Sequence, residues 1–237
     1  MATTHFSGPI LYSGKPASRA WFKDFPVSQN PDYTVLFDDF VGVAVDSTND
    51  WTVVKDSGAS VAIAADVVGG RALLSSAATT DDDGSSVQGN EIFAVASGRS
   101  MWFETKLQSS DADQQEICAG FTVNFATNPE AMLTAADRIC FQVADGNASI
   151  LCKTEKNGTE TSTDSGVDLT DATDVTLSIL VEGTGVVYFF VNRSLVATHT
   201  TNIPDDENLT VGLMQLSGNN TGTKSMSVDY VFAAQTR

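Results

Sequence analysis

From Thr34 onward, apolar and polar residues alternate one for one along short stretches, and that rhythm leaves few architectures open. Ile117, Ala119, Phe121, Val123 and Phe125 occupy every second position. Val175, Leu177, Ile179 and Val181 repeat the pattern, as do Ile139, Phe141 and Val143. A strand turns successive side chains to opposite faces, so a period of two marks a strand with one face in a core. The rhythm places strands at 34–40, 51–55, 60–65, 71–75, 91–95, 101–108, 117–125, 138–143, 148–153, 174–181, 186–192, 195–200, 209–216 and 225–233. Turn chemistry separates them: Asp81-Asp82-Asp83-Gly84-Ser85-Ser86, Asp145-Gly146-Asn147, Lys156-Asn157-Gly158 and Gly218-Asn219-Asn220-Thr221-Gly222. Val191-Asn192-Arg193-Ser194-Leu195 reads as a tight hairpin, because Asn tolerates positive φ. A single helical turn is expected at Pro129–Leu133, with Asn128 as its cap. About fourteen short strands with turns between them predict two antiparallel sheets, an all-β sandwich or jelly roll.

Composition agrees. Ser and Thr together number 49, Val 24 and Gly 18, while the charged residues total 43 of 237. The formal net charge of −17 repels phosphate backbones and argues against nucleic-acid binding. No apolar run reaches the roughly 18 residues of a membrane span, and the first residues lack the basic and apolar regions of a signal peptide. Cys118, Cys140 and Cys152 have neither zinc nor redox spacing and are expected to be buried and reduced, as in a protein made in a reducing cytoplasm.

The first 33 residues differ from the body that follows, residues 34–237. Residues 1–32 hold four of the six prolines and five of the twenty aromatics, and carry a net charge of +1 against −18 for the rest. Proline at this density blocks helices and central strands, so an extended arm is expected. Its large aromatics need cover. Phe6, Pro9, Tyr12, Lys15, Arg19, Trp21, Phe22 and Phe25 are the candidate contacts to another subunit or partner. Packing of the arm on its own domain would cover the same side chains equally well.

Two resemblances bear on function. Asp38-Asp39-Phe40, Met101–Leu107 followed by Gly120-Phe121, Asp174–Val181, Val187–Asn192 and Met226–Val231 together resemble the concanavalin A-like, laminin-G-like jelly roll. That resemblance implies fold rather than function. Thr4-His5-Phe6-Ser7-Gly8-Pro9-Ile10 resembles the start of tailed-bacteriophage structural proteins. It implies a virion component, a head decoration (cement) protein that binds the major capsid protein on the outer surface of the head. It further implies a homotrimer, since capsid lattices offer three-fold positions. A glycan-binding module, a glycan-cleaving enzyme of the same fold, or a tail or fibre component is the alternative.

Catalytic chemistry is sparse in the sequence. The Glu-x-Asp-x-x-Glu strand of glycan hydrolases of this fold is not present, and Glu104 and Glu116 are the only strand carboxylates placed to face each other. Glu104 shares a strand face with Trp102 and Lys106 and is expected to be an ordinary solvated neighbour of that lysine. A Ser-His-acid triad would need His199, and no Gly-x-Ser-x-Gly elbow supports it. Asp81-Asp82-Asp83-Gly84 offers oxygen ligands without the spacing of a calcium loop. The sequence therefore predicts no enzymatic activity, no metal and no cofactor.

Overall fold

The computed structural model describes residues 33–77, 80–125, 127–219 and 221–237. The candidate arm residues Phe6, Pro9, Tyr12, Lys15, Arg19, Trp21, Phe22 and Phe25 lie outside the described residues. Among the described residues there are sixteen strands: β1 (Tyr33–Asp38), β2 (Thr52–Lys55), β3 (Ser60–Ile63), β4 (Ala72–Ser75), β5 (Gly84–Gln88), β6 (Phe93–Ala94), β7 (Ser100–Ser109), β8 (Gln115–Thr122), β9 (Arg138–Val143), β10 (Ser149–Lys156), β11 (Thr159–Asp168), β12 (Val175–Glu182), β13 (Val186–Val191), β14 (Ser194–His199), β15 (Asn208–Ser217) and β16 (Ser225–Thr236). They form two antiparallel sheets of eight. Sheet I runs β14-β13-β12-β7-β16-β4-β3, with β1 also paired to β16, and sheet II runs β11-β10-β9-β8-β15-β5-β2, with β6 paired to β15. The expected antiparallel sandwich is the fold found.

The alternating residues do what their period requires. Met101, Phe103 and Leu107 of β7, Leu177, Ile179 and Val181 of β12, and Ile117, Ala119 and Phe121 of β8 point between the sheets into one apolar cluster. Its centre is aromatic: Phe93 and Phe103 lie 5.2 and 5.8 Å from Phe121, and Phe141 meets Phe189 edge-on at 5.3 Å. Such pairs contribute about 0.5–1.5 kcal/mol beyond the area they bury.

A second, smaller cluster lies on the outer face of sheet II. Cys118, Cys140, Met214 and Leu216 point away from the main core, and Phe125 and Met132 pack over them. The covering segment contains one 3₁₀ turn, Pro129–Met132. Asn128 precedes it with an extended backbone and no side-chain capping bond, so the expected cap is not made. Arg138 of β9 fastens the segment instead, donating to the carbonyls of Met132 and Leu133 and pairing with Glu155 at 2.7 Å and Glu160 at 3.1 Å.

Candidate functional site

Glu104 and Glu116 do not face each other. Glu104 alternates with Phe103 and Thr105 on β7 and projects from the outer face of sheet I, whereas Glu116 projects from β8 on sheet II, so the two sheets separate them. Glu104 is also no mere neighbour of Lys106. It accepts bonds from the Tyr230 hydroxyl at 2.6 Å and Ser178 Oγ at 2.9 Å. Lys106 pairs with Asp229 and Asp174. Burial, and then the Glu104 charge, push the Tyr230 hydroxyl well above its usual range.

His199 is buried, with its ring nitrogens 3.0 Å from the hydroxyls of Thr154 and Thr163. Burial holds its pKa below the ordinary value. No carboxylate orients it among its hydrogen-bond partners, so a triad is not assembled there. Cys118 and Cys140, on neighbouring strands, share a thiol hydrogen bond in which Cys118 is pushed up and Cys140 held down. Cys152 faces the main core instead, and burial pushes its thiol up to about 12.

Glu116 gathers the acid chemistry that single-strand reading misses. It stands near the start of β8, opposite Leu216 of β15. Two turns converge on it. The Asp81–Asp83 turn is clamped to β15 by two backbone bonds, Asp82 N–H to the Ser217 carbonyl and Ser217 N–H to the Asp83 carbonyl, each 2.9 Å. Asp82 takes a left-handed backbone, φ 62°, to make that turn. The turn after β9 is held from the other side by Gly146 N–H donating to the Asp113 carbonyl at 3.0 Å. Gly218 leaves room for it: a Cβ there would stand 2.0 Å from Asp145 Oδ1.

Glu116 is half-buried. Burial raises its carboxyl pKa, and the charges of Asp82, Asp145 and Asp81 add to the rise, against a backbone N–H bond from Asp145. Asp82 is raised too, by burial first and then by Asp81 and Asp145. A carboxyl whose pKa is raised by burial and by neighbouring carboxylates is a feature that general acid–base chemistry uses. Among the described residues, no group of three or more His, Cys, Asp or Glu side chains could hold a metal ion. A groove of about 450 Å³ lies elsewhere, lined by Leu36, Asp38, Phe40, Asp46, Trp51 and Asn90 among others. Its Asp38 is engaged by the Trp51 indole N–H at 2.8 Å.

The fold has counterparts among solved structures. The Bacteroides ovatus mixed-linkage-glucan GH16, solved in complex with a G4G4G3G product, superposes with a TM-score of 0.60 over 83% of this chain and 98% of its own, at 11% identity. An endo-β-1,4-glucuronan lyase from the fungus Trichoderma reesei matches with a TM-score of 0.60 over 84% and 94%, at 14% identity. SO2946 from Shewanella oneidensis MR-1, a protein of unknown function, matches with a TM-score of 0.59 over 86% and 87%, at 17% identity. No curated protein matches the sequence. These likenesses correct the expectation that the chain is no enzyme. The sandwich is the fold of glycan-cleaving proteins, so a missing strand motif does not exclude catalysis. That expectation weighed carboxylates inside or beside strands, whereas the charges of Asp82 and Asp145 act on Glu116 from turns. The family model described as "SO2946-like, C-terminal domain" matches residues 66–229, well over half of the sequence, and the chain belongs to that family.

Proposed function

We propose that the protein acts on glycans, with Glu116, Asp82 and Asp145 as its acid–base set. The half-buried Glu116 carboxyl, pushed up by burial and by its acidic neighbours, carries the reading. With its pKa raised, the Glu116 carboxyl is suited to donate a proton to a departing sugar oxygen, and a neighbouring carboxylate to take up the proton of the attacking or eliminated group. The glucanase and glucuronan lyase of the same fold support the substrate class.

Incubation of the full chain with mixed-linkage glucan and with β-1,4-glucuronan, followed by detection of new reducing or unsaturated ends, tests it. Cleavage of either polymer, lost in Glu116→Gln, is expected. The same variant should melt higher at neutral pH. A raised folded pKa means that ionising Glu116 costs stability, so the penalty appears as pH rises through the folded value and fades below the ordinary 4.5. No cleavage by the full chain, or cleavage retained in Glu116→Gln, overturns the reading.

A second reading, decoration of a tailed-bacteriophage head as a trimer bound to the major capsid protein, is favoured by the Thr4–Ile10 start and by the acidic body. Co-sedimentation of the full chain with undecorated heads tests it. Saturable binding at lattice stoichiometry supports it, and absence of the chain from the pellet ends it.

A further inference from the structure

The small cluster on the outer face of sheet II is built largely of sulfur. Four of its six buried side chains are Cys118, Cys140, Met132 and Met214, whereas only three of the thirty-six in the main cluster carry sulfur. Filling space does not call for this, since Val, Leu, Ile and Phe fill the main core. The register gathers the four. Met214 of β15 lies opposite Cys118 of β8, Gly212 lies opposite Gly120, and Gly120 lies opposite Cys140 of β9. Residues paired across a ladder share a face, as do residues two apart on one strand. Cys140, Cys118 and Met214 therefore border a floor of two glycines. Met132 reaches that floor from the 3₁₀ turn: a Cβ on Gly212 would stand 3.1 Å from its Sδ. A Cβ on Gly120 would stand 3.0 Å from that of Cys140. Glycine at both positions lets the sulfur side chains converge. All four are 0% exposed, and the two thiols already share a hydrogen bond.

We propose that Cys118, Cys140, Met132 and Met214 form a binding site for a soft monovalent metal ion, copper(I). Thiolate and thioether sulfur are the ligands such an ion selects. Half of the donors are methionines, so the site is not one of three or more His, Cys, Asp or Glu ligands. Binding is an exchange without electron transfer. One copper(I) ion enters and bonds to both cysteine sulfurs, the two thiol protons leave to solvent, and the site passes from neutral to −1. The thioethers add ligation without adding charge. Arg138 and Lys153 favour the ionised form of both thiols, and Arg138 is only 5% exposed. Glu160, paired with both cations, opposes them more weakly at Cys140. Phe125 and Leu216 complete an apolar shell around the sulfurs. Entry requires the covering segment to lift, and Arg138 is what fastens it. The expectation of no metal rested on cysteine spacing along the chain, which counts neither methionines nor strand register.

Anaerobic titration of the full, reduced chain with copper(I) held by bicinchoninate tests this. One equivalent should pass from the chelator to the protein, with a thiolate-to-copper(I) absorption band in the ultraviolet and a higher melting temperature. X-ray absorption of the loaded protein should show sulfur alone around the metal. Cys118→Ser/Cys140→Ser should abolish uptake. Met132→Leu, close to the parent in volume, should weaken it by roughly tenfold or more. Cys152→Ser is the control and should take up one equivalent as the parent does, because Cys152 lies in the main core. The site is overturned by no uptake, by nitrogen or oxygen around the metal, or by uptake that survives the double serine change. Uptake lost with Cys152, or unweakened in Met132→Leu, overturns it as well. Should the double variant fail to fold, X-ray absorption of the unsubstituted protein still decides. None of these outcomes depends on glycan cleavage or on Glu116.

Discussion

Replacing Gly120 with valine is expected to lower unfolding stability by roughly 3–5 kcal/mol, a large fraction of what a domain possesses. Gly120 sits in the middle of β8 with φ 153°, outside the range that side-chain-bearing residues favour. A Cβ there would stand 2.4 Å from the Ile139 carbonyl oxygen and 2.7 Å from Cys140 Cα. Both are backbone atoms of β9, so no rotamer change relieves the clash and the two central strands of sheet II must part. Urea denaturation should show the midpoint collapse, or no folded protein at all. Gly185→Ala is the control, because nothing lies within 4 Å of a Cβ at that position. A Gly120→Val variant as stable as that control would show that the β8–β9 approach is looser than described.

Arg138→Leu is the second large effect, about 3–5 kcal/mol. The side chain is 5% exposed and serves Glu155, Glu160 and the carbonyls of Met132 and Leu133 together. Leucine fills part of the volume but leaves the Glu155 charge, 13% exposed, without its cation. It also frees the segment that covers Cys118 and Cys140. Glu160 keeps Lys153 at 2.9 Å, so the loss falls on Glu155 and the two carbonyls. Arg138→Lys should recover little, because one ammonium cannot reach four acceptors spread over a planar fork. Guanidinium unfolding of both variants checks this. Leucine within 1 kcal/mol of the parent protein, about what an exposed pair contributes, would mean that Arg138 is solvated in practice.

Strands that are apolar on one face announced themselves. Arg138–Val143 matches its expected span, and the Asn192-Arg193 hairpin has at Asn192 the positive φ, 50°, that asparagine tolerates, and at Arg193 a positive φ of 66° as well. Two strands gave no such sign. β11, Thr-Glu-Thr-Ser-Thr-Asp-Ser-Gly-Val-Asp, is polar on both faces because it is the edge of sheet II and buries little on either side. β5, Gly-Ser-Ser-Val-Gln, reads as a turn by composition, yet it is buried throughout between β15 and β2. Small residues are required there. A Cβ on Gly84 would come within 2.0 Å of the Gln215 carbonyl, and Ser85 Oγ bonds the carbonyls of Ser60 and Ser75. The candidate site was half legible for a related reason. Glu116 stood out as a strand carboxylate, but a period of two says nothing about which sheet a strand joins. Glu104 therefore could not be set on the far side of the sandwich. Asp82 and Asp145 belong to turns whose positions depend on long-range clamps to Ser217 and Asp113.

The pairing of β1 with β16 decides how the sandwich answers to mechanical load. Tyr33 lies opposite Thr236 and Asp38 opposite Val231, so the outermost rungs of this ladder join residues 33 and 236 at one end. Tension applied between those two positions acts across the strands and peels the rungs apart one at a time, where a pull along the strands would strain all six together. Six rungs loosened in sequence resist far less than six loosened at once. Force entering through residue 33 is thus spent on detaching β1, and β16 remains laced to β7 on its other side.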